Sequence, residues 1–178
     1  MKRFLLSLIV LAGALICSVP ALADMSKLDK GSQSWPKHEG YWVLFVARDY
    51  VPGHAFVVWA VRDRKNNKWK AIEGYGLYPV STNKVAFGTV PGNITLENIS
   101  SLKGANSGLA VGVTKSMYDY SLRNVKALSK YPEDYNLYNK NCVNFVDLVA
   151  RSLSIKTPNI ENFEKHPQGY IKSLKAKN

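Results

Sequence analysis

The sequence has very little cysteine, with 2 cysteines in 178 residues. Cys17 falls in an N-terminal apolar segment that is predicted to be removed, so Cys142 is left without a partner for a disulfide within the chain. A lone thiol in an exported protein is at risk of oxidation, and its presence favours a chemical role. The alternative is that Cys142 is a small buried apolar side chain, as most free cysteines are.

Histidine is equally scarce, since the chain has 3 histidines: His38, His54 and His166. They are scattered, and no cysteine or acidic cluster has the spacing of metal ligands. The sequence also contains no glycine-rich phosphate-binding loop. We therefore predict neither a metal site nor a cofactor.

Acidic residues are few, with 13 Asp and Glu against 24 Lys and Arg, which gives a net charge of +11. Such a charge fits contact with an anionic surface, for example cell wall, anionic lipid or an acidic partner. No compact run of Lys and Arg with interleaved aromatic residues stands out, so nucleic acid is not a predicted partner. The oligomeric state stays open.

The N-terminal segment has the pattern of a secretory signal peptide. Two basic residues precede a short apolar stretch, and an Ala-Leu-Ala cleavage site ends at Ala23. We predict that residues 1–23 are cleaved after Ala23 and that the protein is periplasmic or secreted. Residues 24–40 are expected to form a loose polar arm, and residues 41–178 a single domain.

Hydrophobic patterning in that domain predicts an α+β fold, with strands two and three paired as an antiparallel hairpin. Gly74, Gly76 and Pro79 are expected to break the regular structure after the third strand. The predicted strands are Tyr41–Tyr50, His54–Arg62, Trp69–Tyr75, a short one near Lys84–Thr89, and Gly108–Val113. The predicted helices are Lys115–Lys130, capped by Thr114, and Cys142–Leu153, with a last turn over Gly169–Lys175.

The start of the second predicted helix carries the candidate nucleophile. Asn141 is a good N-cap residue, which places Cys142 in the first helical turn. The positive end of the helix dipole at that position is expected to favour the thiolate. The free backbone N–H of Cys142 could stabilise an oxyanion, and the side chains of Asn141 and Asn144 are further candidate donors.

His54 is the best candidate base, because it opens a strand directly after a Pro-Gly turn and lies at the edge of the sheet. If the hairpin loop spans residues 62–67, Val61 pairs with Lys68 and His54 lies opposite Tyr75. Glu73 then shares a face with His54 and could accept the imidazole N–H. A backbone group or a water is the alternative for that orienting role.

These residues resemble a known superfamily. The Gly53-His54 strand start, an acid at Glu73 and the later Asn141-Cys142-x-x-Phe145 helix start resemble the circularly permuted papain-like hydrolases, the NlpC/P60 superfamily in its permuted form. Effector-type and lecithin-retinol-acyltransferase-like proteins belong to it. The resemblance implies an antiparallel sheet packed against helices, with the nucleophile at a helix N-terminus. It also implies that Cys142 attacks a carbonyl and His54 transfers the proton.

The expected function is that of an exported cysteine amidase or peptidase acting on a peptidoglycan peptide or another acyl or amide substrate. Catalysis is assigned to Cys142, His54 and Glu73, and substrate contacts to Tyr75 and Asn141. One alternative is a lipid hydrolase or acyltransferase, with an apolar groove near aromatic residues (Tyr75, Tyr78 and Phe87). The other is a binding module that has the fold without catalysis.

Overall fold

The computed structural model describes residues 33–34, 40–48, 53–63, 65, 68–98, 102, 104–163 and 166–178. The predicted signal peptide 1–23 lies outside these ranges, as do His38 and most of the predicted arm 24–40. Two residues of that arm, Gln33–Ser34, pair with a strand of the sheet. Within the described residues, no helix combines the length and apolar character needed to span a membrane.

In the described part of the chain, seven strands form one sheet and three α-helices accompany it, so the predicted α+β class is confirmed. The sheet order is β1-β6-β2-β3-β4-β5-β7, and every neighbouring pair is antiparallel except β1 with β6. The strands are β1 Gln33–Ser34, β2 Tyr41–Arg48, β3 His54–Arg62, β4 Trp69–Pro79, β5 Val90–Leu96, β6 Ala105–Val113 and β7 Glu133–Tyr135. The helices are α1 Lys115–Leu128, α2 Cys142–Ser152 and α3 Pro167–Ala176.

The central strands β2 and β3 are buried on both faces, which explains their almost unbroken apolar sequences. One face of β3, including Val57 and Trp59, packs with apolar residues of all three helices. The other face, including Phe56 and Val58, belongs to a second cluster that contains Leu102 from the segment before β6. Together, these two clusters hold β3 in the middle of the core.

Both predicted helix starts are confirmed. The hydroxyl of Thr114 accepts a hydrogen bond from the backbone N–H of Met117 at the start of α1. The side chain of Asn141 caps α2 in the same way, through the backbone N–H of Val143. Side-chain acceptors of this kind satisfy N–H groups that have no partner inside the helix.

The prediction of a break after Tyr75 was wrong. Strand β4 continues through Gly74 and Gly76 to Pro79, because it pairs with β5 as well as with β3. Strand β5 itself was missed, and the strand predicted near residues 84–89 is a 3₁₀ helix, Thr82–Phe87. Pairing with strands on both sides outweighs the low strand propensity of the two glycines.

Candidate active site

Cys142 is the first residue of α2, and its environment is set by the helix cap. The side chain of Asn141 accepts the N–H of Val143 at 2.8 Å, and that of Asn144 accepts the N–H of Asn141 at 2.9 Å. The amide of Asn141 also donates to the carbonyl of Leu137 at 2.8 Å. Asn141, which was predicted to contact substrate, is only 1% exposed and holds the helix start in place.

The sulfur of Cys142 is buried against the start of β3. The backbone N–H groups of Ala55, Cys142 and Val143 act on it and favour the thiolate. Burial is the larger effect, however, and raises the pKa of the Cys142 thiol to about 11. The predicted preference for a thiolate is therefore wrong for the free protein, because desolvation outweighs the helix start.

We expect alkylation of Cys142 by iodoacetamide to follow this raised pKa. The second-order rate should stay low at neutral pH and should rise with pH to reach half its maximum near pH 11, where half the thiol is ionised. The rate is measured by intact mass at several pH values, with free cysteine as the reference. A plateau reached near pH 6 would contradict the neutral thiol and would indicate a resting thiolate–imidazolium pair.

The register of the hairpin between β3 and β4 differs from the prediction. The hairpin closes between Asp63 and Lys68, where the N–H of Asp63 donates to the carbonyl of Lys68 at 2.8 Å. A β-bulge between Trp59 and Ala60 then shifts the pairing by one further residue. Neither the loop bounds nor the bulge has a clear signature in the sequence.

As a result, Tyr75 pairs with Val57, three residues further along β3 than predicted. An odd shift exchanges the two faces of a strand. His54 therefore shares its face with Gly76 and Tyr78, while Tyr75 lies on the face of the helices. The rings of His54 and Tyr78 stack with centroids 4.1 Å apart.

The partner of the imidazole is Glu97, directly after β5. The Nε2 atom of His54 lies 2.9 Å from Oε1 of Glu97. Hydrogen bonds and the nearby positive charge of Arg48 offset the burial of Glu97 and lower the pKa of its carboxyl. A carboxylate only accepts, so Nε2 carries the proton and Nδ1 is the basic nitrogen.

Glu73, the predicted acid, has other partners. It accepts from the hydroxyl of Tyr75 at 2.9 Å and pairs with Lys126 of α1. Tyr75, the other predicted substrate contact, is 8% exposed and packs in the core beside α1 and α2. The prediction that Glu73 and His54 share a face was thus wrong, because it rested on the register.

Arg48 and Tyr78 complete a closed set of hydrogen bonds around Glu97. The Nη2 atom of Arg48 donates to Oε2 of Glu97 at 2.8 Å and to the hydroxyl of Tyr78 at 2.7 Å. Tyr78 in turn donates to Oε1 of Glu97 at 2.7 Å.

Burial lowers the pKa of His54, although its hydrogen bond to Glu97 acts in the opposite direction. The neutral form of the imidazole is therefore favoured at pH 7.

Gly76 provides the space for this arrangement. A Cβ atom at residue 76 would lie 2.5 Å from Oε1 of Glu97 and 2.5 Å from Nε2 of His54. Real Cβ atoms do not approach other heavy atoms so closely. Only glycine therefore allows β4 to pass beneath the bond between His54 and Glu97.

The imidazole and the sulfur both lie near the start of β3, on opposite faces of the sheet. His54 stacks on Phe56 of its own face, with centroids 5.8 Å apart, whereas Cys142 packs among the residues of the helix face. The N–H that acts on the sulfur belongs to Ala55, the residue after His54. Within the described residues, no hydrogen bond joins the ring to the sulfur.

A largely apolar cavity of about 360 Å³ opens beside His54 and Tyr78. Its walls include Leu77, Val85 and Leu137. Tyr135 also lines it, and the pKa of this phenol is raised by burial and by the nearby Cys142. The cavity therefore extends from the imidazole to Tyr135, a neighbour of Cys142, although Cys142 itself is not among its lining residues. His166 is the exposed N-cap residue of α3, and it does not line this cavity.

Comparisons with protein-family models, with curated proteins and with solved structures found no match to this chain. Its relation to the permuted papain-like hydrolases thus stays a prediction from the residues quoted above. Among the described residues, no group of three or more His, Cys, Asp or Glu side chains is arranged to hold a metal ion.

Proposed function

We propose that this protein is a cysteine-dependent acyl hydrolase, with an amide or peptide bond as the target. The observation that carries the proposal is the arrangement at the start of β3. The N–H of Ala55 acts on the sulfur of Cys142, and the preceding residue is His54, whose ring is held by Glu97. Acyl transfer of this kind needs a thiol as the nucleophile and an imidazole in a fixed orientation as the base.

The reaction starts from a neutral thiol and a neutral imidazole. As the sulfur of Cys142 attacks the substrate carbonyl, Nδ1 of His54 takes the thiol proton, and the carbonyl oxygen becomes an oxyanion. The backbone N–H of Cys142 at the start of α2 is the candidate donor to that oxyanion. This transfer requires the ring and the sulfur to approach each other when substrate binds, since no hydrogen bond joins them in the free protein, while the bond from Nε2 to Glu97 is kept.

Collapse of the tetrahedral intermediate breaks the bond to the leaving amine. His54 returns its proton to that amine, and a thioester remains on Cys142. Water then attacks the thioester while His54 accepts one of its protons. That proton returns to the sulfur as the acid leaves, which restores the free enzyme. Glu97 keeps the imidazole oriented and compensates its charge in both steps.

Cell-wall peptides are the substrates that best fit the other features of the chain. The predicted signal peptide would deliver the protein to the periplasm or beyond, where such peptides are found. The excess of 24 basic over 13 acidic residues suits an anionic surface such as a cell wall.

A lipid hydrolase or acyltransferase is the second candidate, and the cavity favours it. Leu77, Val85 and Leu137 offer an acyl chain an apolar wall next to His54. Val80 and Phe87 each come directly after a residue that lines the cavity. Their side chains are 63% and 90% exposed. Exposed apolar residues that are next in the chain to cavity-lining residues are suited to a substrate that arrives from a lipid phase.

The test is to trap the thioester. Purified protein is mixed with p-nitrophenyl esters of two to ten carbons and with a wall-type peptide amide, and intact mass is recorded within seconds. We expect an acyl adduct on the wild type, none on Cys142→Ala, and a rate at least 10²-fold lower on His54→Gln.

The pattern of substrates separates the remaining alternatives. Turnover of the peptide amide supports the peptidase, and rates that rise steeply with ester chain length support the lipid enzyme. An adduct on Cys142→Ala equal to that on the wild type, or neither adduct nor turnover with any substrate, would reject catalysis. The protein would then be a binding module with a structural cysteine.

A further inference from the structure

Arg48 is a mostly buried cation whose surroundings need an explanation. Its side chain is 16% exposed, and its guanidinium lies 4.8 Å from the ring centroid of Phe56. Its Nε atom is buried without a hydrogen-bond partner among the described residues. Burying a guanidinium in this way is unfavourable unless the charge has a specific partner. That partner is Glu97, whose side chain is 3% exposed.

Tyr78 is joined to the same carboxylate and to the imidazole. Its hydroxyl donates to Glu97 and accepts from Arg48, while its ring stacks on His54. The four side chains come from the end of β2, the start of β3, the end of β4 and the residue after β5. Both oxygens of Glu97 are thereby occupied by donors, which leaves the carboxylate one orientation.

We propose that Arg48 and Tyr78 are positioning residues, which act through Glu97 to hold His54 with its proton on Nε2 and with Nδ1 as the base. The inference rests on the proposed function for its catalytic meaning, and on the hydrogen bonds themselves for its structural content. Neither residue needs to touch the substrate in this role.

Each of the two fixes a different degree of freedom. Arg48 holds Oε2, so the carboxylate cannot rotate away from the ring, and it keeps Glu97 ionised in a buried position. Tyr78 fixes the plane of the imidazole by stacking and limits Oε1 to the direction of Nε2. An imidazole in the wrong tautomer presents a proton instead of a lone pair to the thiol, which abolishes its action as a base.

The test reads the tautomer directly by nitrogen-15 NMR of the histidine side chains, with the His54 signals assigned by their loss in His54→Gln. Wild type should show the Nε2–H tautomer at neutral pH. Arg48→Met and Tyr78→Phe should show a mixture of the two tautomers, and each should lower kcat for a p-nitrophenyl ester about tenfold with little change in KM. Arg48→Lys should recover part of the loss, because it restores the positive charge without the planar guanidinium.

Two controls match these substitutions in chemistry. Arg62 also places its guanidinium over an aromatic ring, 5.1 Å from the centroid of Trp69, and Arg62→Met should leave the His54 signals unchanged. Tyr170 donates its hydroxyl to Asp147 at 2.7 Å, and Tyr170→Phe removes a comparable bond away from His54. Thermal unfolding confirms that each variant is folded before its spectrum is interpreted.

The proposal would be overturned if Arg48→Met and Tyr78→Phe both fold and both keep the tautomer preference of the wild type. The proposed function fails in a different way, through absence of Cys142-dependent hydrolysis in the wild type. If hydrolysis is absent but the tautomer preference is lost in the variants, the positioning by Arg48 and Tyr78 stands and the enzymatic role falls.

Discussion

Gly76→Ala should lower Cys142-dependent ester hydrolysis by about 10²-fold, the contribution of a well-positioned general base. The new methyl group would lie 2.5 Å from both Oε1 of Glu97 and Nε2 of His54, so these two atoms must separate. The backbone of residue 76 is an ordinary strand conformation that alanine adopts, so the fold itself should tolerate the change. The measurement is kcat/KM with a p-nitrophenyl ester, alongside thermal unfolding.

Gly74→Ala is the matched control, two residues earlier on the same face of β4. Its added Cβ would meet Cβ of Glu97 at 3.1 Å and Cγ2 of Val58 at 3.2 Å, contacts that small shifts relieve. We expect hydrolysis within a few-fold of the wild type. If Gly76→Ala is as active as Gly74→Ala, the bond between His54 and Glu97 has no part in the reaction.

Glu97→Ala should have the largest effect on stability, a loss of about 3 kcal/mol in the free energy of unfolding at neutral pH. The substitution leaves the guanidinium of Arg48 mostly buried without its carboxylate, and removing one partner of a buried pair costs about 3–5 kcal/mol. We take the low end because 16% of the Arg48 side chain stays in contact with solvent. Urea unfolding of both proteins measures the difference.

The pKa of Glu97 determines how the stability effect of Glu97→Ala should change with pH. The pKa of Glu97 is lowered in the folded protein, so its contribution is fully present above the ordinary carboxyl pKa of about 4.3. The contribution is lost as the pH falls through the lowered pKa of the folded state. The difference between wild type and Glu97→Ala should therefore shrink at acid pH.

Glu73→Ala is the control for this experiment. Glu73 pairs with Lys126, and their side chains are 24% and 44% exposed, so the pair should contribute less than about 1 kcal/mol. Its loss should also leave hydrolysis intact, since Glu73 does not contact His54. Equal destabilisation by the two substitutions would mean that Arg48 does not depend on Glu97.

The neutral state of the site has a chemical consequence. With the pKa of Cys142 at about 11, almost none of the sulfur is thiolate at pH 7. Oxidation proceeds through the thiolate, so burial protects a cysteine that the predicted signal peptide would send to an oxidising compartment. In the proposed mechanism, the same burial requires that proton transfer to His54 accompany the attack on the substrate.

Local patterns in the sequence determined much of the framework. The strand His54–Arg62 was predicted with its observed bounds, because its seven inner residues are all β-branched, aromatic or small and leave little choice. The cap at Asn141 and the position of Cys142 followed from a side chain that bonds a backbone group two residues away. Such signals lie within a few residues of the feature they specify, so a single sequence displays them.

Tertiary structure alone decided which acid meets the imidazole. His54 and Glu97 are 43 residues apart in the chain, and nothing near Glu97 distinguishes it from Glu73. The choice depends on a loop of uncertain length and on a bulge, and a shift of three residues moved Glu73 to the other face. Gly76, which looked like a break, is glycine because two distant side chains meet above it.

The state of the thiol was likewise beyond the sequence. A helix start next to Cys142 predicts a lowered pKa, since the dipole and the free N–H groups act within one turn. Burial is the sum of contacts from β3, β7 and the core around α2, and it acts in the opposite direction with greater effect. The sequence determined the strand that carries His54 and the capped helix that carries Cys142, because those signals are local. Only the packed chain decided the register, the partner of His54 and the protonation of Cys142, because each depends on residues far apart in sequence.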